Sequence, residues 1–248
     1  MTRIAVIGGS GLVELDLEVP RHEPMGTPYG KPSAPMLFGR LGAAEVVFLP
    51  RHGSGHTIPP HMVNYRANVW ALKQAGATNV IAVNAVGGIR PGLEDGSLIV
   101  PDQIIDYTYG REHTFFGHTQ QPVRHVDFSQ PYCEKLRGIL IEAGKRAGIE
   151  VVETGTYGAT QGPRFETAAE IRRLEHDGAD IVGMTGMPEA ALARELDLCY
   201  ASIAVIVNAA AGKAPGPISM QVVEKNLEIG ITKVRKVLEQ AIPMVGRV

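Results

Sequence analysis

The sequence is poor in cysteine and in long apolar runs, and each shortage excludes a class of protein. Its 248 residues include only two cysteines, Cys133 and Cys199, which are far apart and in no CxxC motif. This usage predicts reduced thiols rather than a disulfide scaffold or a zinc module. No apolar run approaches the ~20 residues that a membrane-spanning helix requires, and the first residues lack a signal-peptide pattern. Together these absences predict a cytoplasmic protein.

The sequence also lacks a large excess of charged residues of either sign. Lysine and arginine number 24 against 26 aspartates and glutamates, which gives a net charge of −2. Such a chain has no general attraction for nucleic acid or an anionic membrane, so any anionic ligand must be held by a local site. Hydrophobic residues make up 44% of the chain, enough for a sizeable core. We expect a single domain over residues 1–248.

Short β-branched runs alternate with amphipathic segments along the chain. The strand-like runs cover residues 4–7, 46–49, 80–83, 98–100, 151–156, 181–182 and 201–207. Apolar residues recur at helical spacing over 62–72, 168–177 and 189–196, and Thr167 is a candidate cap for the second of these segments. A last predicted helix buries one apolar stripe, formed by Met220, Val223, Leu227, Ile231, Val234 and Leu238. This alternation predicts an α/β fold with a central mixed β-sheet flanked by helices. The irregular stretch 107–130 is long enough to predict a functional or subunit-contact role.

The first candidate site is the turn GGSG at residues 8–11, which follows a predicted strand. Gly9 and Gly11 match the first two glycines of the dinucleotide motif GxGxxG, but Glu14 occupies the third place and would repel a pyrophosphate. The patterns of the Walker loop and of the nucleophile elbow are absent. Two interpretations remain open: a site for one small oxyanion at the turn amides and Ser10, or a plain strand-ending turn.

A second candidate is the stretch RHGSGH at residues 51–56, again after a strand. Arg51 offers a planar fork suited to phosphate, and His52 offers a further donor. His52, His56 and His61 also resemble a metal-ligand set, but the intervening glycines and prolines exclude the helix that would align them. The pattern favours an anion site over structural histidines, and no metal is expected.

A third strand end, NAVGG at residues 84–88, is rich in small side chains. Ala85, Gly87 and Gly88 would let a ligand approach the main chain closely. By itself this stretch is as typical of packing as of ligand binding.

Seven motifs together resemble the trimeric purine nucleoside phosphorylase and methylthioadenosine phosphorylase family. They are GGSG (8–11), TPYGKPSA (27–34), RHGSGH (51–56), NYRANVWALK (64–73), NAVGG (84–88), QGPRFET (161–167) and GADIVGMTGMPE (178–189). The resemblance implies a single-domain α/β fold, a homotrimer and no metal or organic cofactor. It also implies cleavage of a purine–ribose bond by inorganic phosphate, which is a substrate.

The resemblance also assigns roles to particular residues. It implies a phosphate site formed by Ser10, Arg51, His52, Ala85 (through its amide) and Thr185. It places Phe165 on the purine, Met184 against the ribose, and His125 in a neighbouring subunit's site. Core packing for Phe165 and Met184, and a solvated loop position for His125, are the alternatives.

The base is predicted from two positions. Adenine-selective members of the family carry an Asp-x-Asp pair where this chain has Asn208-Ala209-Ala210. The Asn208 amide can donate to O6 or N7 of a 6-oxopurine, and Glu166 can accept from its N1–H, which adenine lacks. An unmet buried polar group costs ~1–3 kcal/mol, so we expect hypoxanthine or guanine rather than adenine.

The 5′ substituent is predicted from an absent histidine. Family members that accept inosine place a histidine of the last helix near the 5′-hydroxyl, and this chain has none after His176. Ile218, Met220 and Val223 would form an apolar wall that suits a methylthio group. The expected substrate is S-methyl-5′-thioinosine. The alternatives are a general inosine/guanosine phosphorylase, a methylthioadenosine phosphorylase, a hydrolase, or a nucleotide-binding module without catalysis.

Overall fold

The computed structural model describes residues 3–117 and 124–246, in which strands and helices follow the predicted alternation. The strands are β1 (Arg3–Gly8), β2 (Glu18–Glu23), β3 (Met36–Leu41), β4 (Ala44–Pro50), β5 (Ala77–Gly88), β6 (Leu98–Ile99), β7 (Gln103–Asp106), β8 (Val151–Val152), β9 (Thr156–Ala159), β10 (Ile181–Gly183) and β11 (Cys199–Ala209). The helices are α1 (Tyr65–Gln74), α2 (Glu134–Arg146), α3 (Ala168–His176), α4 (Glu189–Glu195) and α5 (Met220–Val245).

These strands form one mixed sheet, as predicted, with β5 at its centre. The order along the sheet is β2-β3-β4-β1-β5-β10-β9-β7, while β11 pairs with both β5 and β6, and β8 pairs with β6. Strands β4, β1, β5 and β11 run parallel to one another, whereas β10 is antiparallel to β5. The carboxyl ends of the four parallel strands therefore meet at one edge, where α/β sheets commonly bind ligands.

Both faces of the sheet are buried, which explains the continuous apolar runs of its central strands. In β1, Ala5 and Ile7 join the core that includes α1 and α4, whereas Ile4 and Val6 join the core that includes α2 and α5. The two-residue period of a strand thus supplies side chains to two separate helix layers. Within the described residues, no helix is both long and apolar enough to cross a membrane.

Each of the seven predicted strand runs overlaps an observed strand, but four observed strands escaped prediction. These are β2, β3, β7 and β9; β2 is mostly exposed and reads EVPRHE, without an apolar period. The predicted run 151–156 is divided between β8 and the start of β9. The capping box of α3 is confirmed, because Thr167 Oγ1 accepts from the Glu170 amide at 3.1 Å and the Glu170 carboxylate accepts from the Thr167 amide at 2.7 Å.

Helix α5 buries most of the predicted stripe, but not its first residue. Val223, Ile231, Val234 and Leu238 are buried, whereas Met220 is 52% exposed. The prediction of a buried Met220 is wrong because the first turn of α5 borders a cavity rather than the sheet.

The prediction of two reduced cysteines is also wrong, because Cys133 and Cys199 form a disulfide across 66 residues of sequence. Cys133 caps the start of α2 and Cys199 begins β11. The Cys133 amide donates to the Tyr200 carbonyl at 2.7 Å, so the main chain itself brings the two cysteines together. Nothing in the local spacing of either cysteine indicates this contact.

Removing the disulfide is expected to destabilise the fold. Closing a loop of this length restricts the unfolded chain, and such cross-links typically contribute about 2 to 4 kcal/mol. We expect the double substitution Cys133→Ser/Cys199→Ser to lower the free energy of unfolding by this amount, and therefore to lower the denaturant midpoint. Dithiothreitol should lower the midpoint of the wild type and leave that of the double variant unchanged. Equal midpoints for both proteins without reductant would contradict a stabilising disulfide.

Candidate functional site

A cavity of about 720 Å³ opens at the carboxyl edge of the parallel strands. It collects nearly all residues that the sequence assigned to phosphate, purine and ribose: Ser10, Arg51, His52, Ala85, Phe165, Glu166, Met184, Thr185, Asn208, Ala210, Met220 and Val223. The ends of five strands, β1, β4, β5, β10 and β11, supply most of these residues, and the loop after β9 and the start of α5 supply the rest. This explains how motifs so distant in sequence reach one site.

The glycine turn forms one corner of this cavity. A side chain at Gly9 is excluded, because its Cβ would lie 2.4 Å from the Val83 carbonyl oxygen in β5 and 3.0 Å from Nη1 of Arg51. Gly11 has a φ of +77°, a conformation that favours glycine. The turn is therefore held tightly against β5 and the arginine, and Ser10 faces the cavity.

Arg51 is the fully buried centre of the site. Its Nε and Nη2 donate to the two oxygens of Glu189 at 2.7 and 2.8 Å, and its Nη1 donates to the Val83 carbonyl at 2.9 Å. Tyr200 adds a hydroxyl donor to Glu189 at 2.9 Å. Burial alone would lower the pKa of Arg51, but the Glu189 carboxylate raises it overall, so the guanidinium stays charged. One N–H remains on each terminal nitrogen for a ligand.

His52 is fixed in one neutral tautomer. Its Nδ1 lies 2.8 Å from the Ile58 carbonyl oxygen, so the Nδ1–H donates there and Nε2 is left as an acceptor. Burial, reinforced by the positive charge of Arg51, lowers the pKa of His52 to about 4. His52 can therefore donate from Nε2 only when it is protonated, which modifies the predicted role as a simple donor. The ring of His56 packs against it, with centroids 4.6 Å apart.

The Thr185 hydroxyl is oriented by a relay that the sequence analysis missed. Ser202 Oγ donates to Asn84 Oδ1 at 2.8 Å, and Asn84 Nδ2 donates to Thr185 Oγ1 at 2.8 Å. Because Thr185 already accepts from Asn84, its own hydroxyl hydrogen is available to an anion. Asn84 is the one polar residue of the motif NAVGG. A polar residue at the end of an apolar strand was the signal in the sequence that could have indicated this relay.

The opposite wall carries the groups assigned to the purine. A register shift in the β5–β11 pairing leaves Val207 without a partner and places Asn208 beside Gly87. Such a bulge redirects side chains, and here Asn208 reaches the cavity with one N–H bonded to the Ala209 carbonyl at 2.7 Å. Glu166 accepts from Thr160 Oγ1 at 2.6 Å, which leaves its second oxygen as an acceptor. Phe165 is 43% exposed at this wall.

The third wall is mainly apolar, as expected for the 5′ end of the substrate. It is formed by the start of α5 and the residues before it, and its members are Ile218, Met220, Val223 and Leu227. Three polar side chains that the sequence analysis did not assign to the site, His56, Thr57 and Glu224, also border the cavity. His56 had been considered only as a metal ligand.

Two predicted residues lie outside the cavity lining. Ala209, between Asn208 and Ala210, is not in contact with the cavity, because neighbouring residues of a strand face opposite sides. His125 is exposed on the irregular stretch 107–130, of which residues 118–123 fall outside the described ranges. Among the residues that the structure describes, no group of three His, Cys, Asp or Glu side chains is arranged to hold a metal ion.

Comparisons with known proteins agree with this geometry. A family model described as the phosphorylase superfamily matches residues 3–243. The chain belongs to the phosphorylase superfamily. A probable S-methyl-5′-thioinosine phosphorylase of Pseudomonas syringae pv. tomato is 54% identical over 98% of this chain and 99% of its own length. A 6-oxopurine nucleoside phosphorylase of Pyrococcus furiosus is 44% identical over 100% of this chain and 94% of its own length.

Solved structures of this superfamily share the fold throughout. A methylthioadenosine phosphorylase from Schistosoma mansoni, solved in complex with adenine, superimposes with a TM-score of 0.95 at 36% identity. The match covers 100% of this chain and 93% of that protein. The predicted resemblance to nucleoside phosphorylases and the predicted single-domain α/β fold are thus confirmed.

The buried neutral His52 is expected to make the stability of this phosphorylase depend on pH. Because the pKa of His52 is about 4 in the folded protein and about 6.5 in an unfolded chain, protons favour the unfolded state. The contribution is fully present above pH 6.5 and is lost as the pH falls towards 4. Between pH 7.5 and pH 5 we expect a loss of about 2 kcal/mol, measured by urea unfolding without phosphate.

Two variants isolate this contribution. His52→Gln removes the titrating group and should lose less stability than the wild type over the same pH interval. His22→Gln, at an exposed histidine of β2, should follow the wild-type curve. If His52→Gln loses as much stability as the wild type, the pKa of His52 is not lowered by burial as described.

Proposed function

We propose that this protein cleaves S-methyl-5′-thioinosine with inorganic phosphate and releases hypoxanthine and 5-methylthioribose 1-phosphate. The observation that carries the proposal is that one cavity brings together the residues assigned to phosphate, the residues assigned to a 6-oxopurine and an apolar wall. The names of the relatives from Pseudomonas syringae and Pyrococcus furiosus point to the same chemistry.

The phosphate is held at the edge of the sheet by donors from separate strand ends. Ser10 and Thr185 offer hydroxyl hydrogens, Arg51 offers its two remaining N–H groups, and Ala85 offers its amide. Since Glu189 already offsets the charge of Arg51, oriented hydrogen bonds contribute more here than net charge. His52, neutral at pH 7, accepts the hydrogen of a protonated phosphate oxygen.

The reaction needs no nucleophilic side chain. As the bond from the anomeric carbon to N9 breaks, its electron pair leaves with the purine, and a phosphate oxygen forms the new bond to that carbon. The proton of hydrogen phosphate ends on the purine, so charges balance. The protein's contribution is to align the two substrates and to stabilise the charge that develops on the departing base, through Asn208 near N7.

The base and the 5′ group are selected on different walls. Asn208 donates to the purine, and the free oxygen of Glu166 accepts from N1–H, a pairing that adenine does not offer. Phe165 packs on the base and Met184 on the ribose. Met220 and Val223 take the methylthio group, and the Ala209 carbonyl orients the amide of Asn208.

One observation favours a second candidate function. Glu224 borders the cavity in the first turn of α5, next to Val223 of the apolar wall, and can bind a 5′-hydroxyl. A general inosine/guanosine phosphorylase, in line with the name of the Pyrococcus furiosus relative, is therefore the alternative.

Exposed apolar residues at the cavity bear on how the chain assembles. The half-exposed apolar residues Phe165 and Met220 at the cavity suit coverage by a second copy of the chain. We infer a homotrimer in which His125 reaches the neighbouring subunit's cavity, and an enzyme of purine salvage without metal or organic cofactor.

A panel of four nucleosides tests this function. Because the base wall and the 5′ wall act separately, kcat/KM at saturating phosphate should be highest for methylthioinosine. The kcat/KM for methylthioadenosine should be lower by at least about tenfold, because each buried polar group left without a partner costs ~1–3 kcal/mol. Inosine should be slower through its unsatisfied hydroxyl, and adenosine slowest.

The variant Asn208→Asp separates the two walls within the same panel. A carboxylate at this position repels O6 and accepts from a 6-amino group, so the preference should move towards methylthioadenosine while the ratio of methylthio to hydroxyl substrates stays constant. Fastest turnover of methylthioadenosine by the wild type would contradict the base assignment. Equal rates for inosine and methylthioinosine would establish the alternative function.

A further inference from the structure

The long irregular stretch after β7 contains a buried arginine that the proposed mechanism does not use. Arg111 is 8% exposed, although it lies in a segment without regular secondary structure. The neighbouring residues of this stretch are also anchored to the body of the protein. Thr114 Oγ1 and the Phe115 amide donate to the buried carboxylate of Glu195 at 2.6 and 2.7 Å.

Arg111 binds both chain segments that form the substrate walls. On the purine side, its Nε donates to Gln161 Oε1 at 3.1 Å, and its Nη2 donates to the carbonyls of Gln161 at 2.8 Å and Thr160 at 3.2 Å. On the ribose and phosphate side, its Nη1 donates to the carbonyls of Met184 at 2.8 Å and Met187 at 2.6 Å. Thus one guanidinium joins residues 160–161 to residues 184–187.

The same guanidinium reaches a third part of the cavity wall through Tyr65. It lies 5.4 Å from the centre of the Tyr65 ring, and Nη1 is 3.3 Å from the Tyr65 hydroxyl. That hydroxyl in turn donates at 2.9 Å to the carbonyl of Pro60, which lines the cavity. Arg111 therefore contacts, directly or through one side chain, three walls of the site.

The charge of Arg111 is not neutralised as that of Arg51 is. Its partners are carbonyl, amide and hydroxyl oxygens, and within the described part of the chain no carboxylate pairs with it. The adjacent Glu112 pairs with Arg66 instead, at 2.7 Å. A buried arginine without a carboxylate partner is costly, and the many oxygens that its planar fork bonds at fixed angles point to a geometric role.

We propose that Arg111 is a positioning residue of the active site, which sets the distance between the purine-binding segment 160–166 and the ribose- and phosphate-binding segment 184–187. The proposal rests on the proposed phosphorolysis. The two segments also touch directly, because a Cβ at Gly162 would lie 2.4 Å from the sulfur of Met184. A change in their separation would misalign the anomeric carbon with the phosphate, and misplacement by ~1 Å can reduce rates about 100-fold.

The test compares Arg111→Lys with a matched variant, Arg137→Lys. Arg137 is also buried and also donates to backbone carbonyls, at 3.0 Å to Pro101 and 2.6 Å to Glu153. It pairs in addition with the exposed carboxylate of Glu134, and it lies in α2 away from the cavity. Lysine keeps the charge but cannot bond two segments in one plane. Both variants should lose stability, measured by denaturant unfolding.

Only Arg111→Lys should lose activity per folded molecule. We expect its kcat/KM to fall at least tenfold well below the unfolding temperature, with KM raised for phosphate and for methylthioinosine together, because both segments shift. Arg137→Lys should keep the wild-type kcat/KM. Should Arg111→Lys not fold, Gln161→Met removes one Arg111 partner, and we expect a several-fold loss with the same joint rise in both KM values.

The outcomes separate this proposal from the function on which it rests. Absence of phosphate-dependent purine release by the wild type would contradict the proposed function. Wild-type turnover together with an unchanged kcat/KM in folded Arg111→Lys, or in Gln161→Met if that variant is needed, would overturn the positioning role alone. A rise in KM for only one substrate would also overturn it, since it would indicate contact with that substrate rather than control of the separation.

Discussion

The buried ion pair between Arg51 and Glu189 is the interaction on which the site depends. Both side chains are fully excluded from solvent, and they join the end of β4 to the start of α4, with Tyr200 of β11 as a further donor. Removing one partner of such a pair typically costs about 3–5 kcal/mol, because the other charge is left buried. The pair also fixes Arg51 against the turn at Gly9, so the position of the anion site follows from it.

Three further polar side chains of the cavity are each oriented by a neighbouring residue. Asn84 orients the hydroxyl of Thr185, Thr160 holds Glu166, and the Ile58 carbonyl fixes the tautomer of His52. A reaction between a nucleoside and phosphate without a nucleophilic side chain requires this kind of preorganisation. In our proposal Arg111 fixes the distance between two walls of the cavity in the same way.

Much of the fold was predictable because local patterns and tertiary structure agree. Strands buried on both faces read as continuous apolar runs, and the α3 capping box is visible in the order of Thr167 and Glu170. The site residues were predictable because they follow strand ends in short motifs that together resemble a known family. The family membership and the fold are confirmed, whereas the individual roles of the residues remain predictions.

What the sequence could not provide depends on contacts between distant residues. The Cys133–Cys199 disulfide depends on a main-chain contact across 66 residues. The exposure of Met220 depends on the cavity beside α5, and the role of Arg111 depends on carbonyls that carry no side-chain signal. Strands such as β2 gain their conformation from pairing at the sheet edge rather than from an apolar period.

We propose that an inorganic phosphate ion bound in this cavity attacks the anomeric carbon of the nucleoside. The most direct test of this proposal is the sugar product formed from methylthioinosine, analysed by mass spectrometry in reactions with and without phosphate. We expect 5-methylthioribose 1-phosphate when phosphate is present and no hypoxanthine release when phosphate is omitted. Free 5-methylthioribose, formed at the same rate without phosphate, would contradict the proposal.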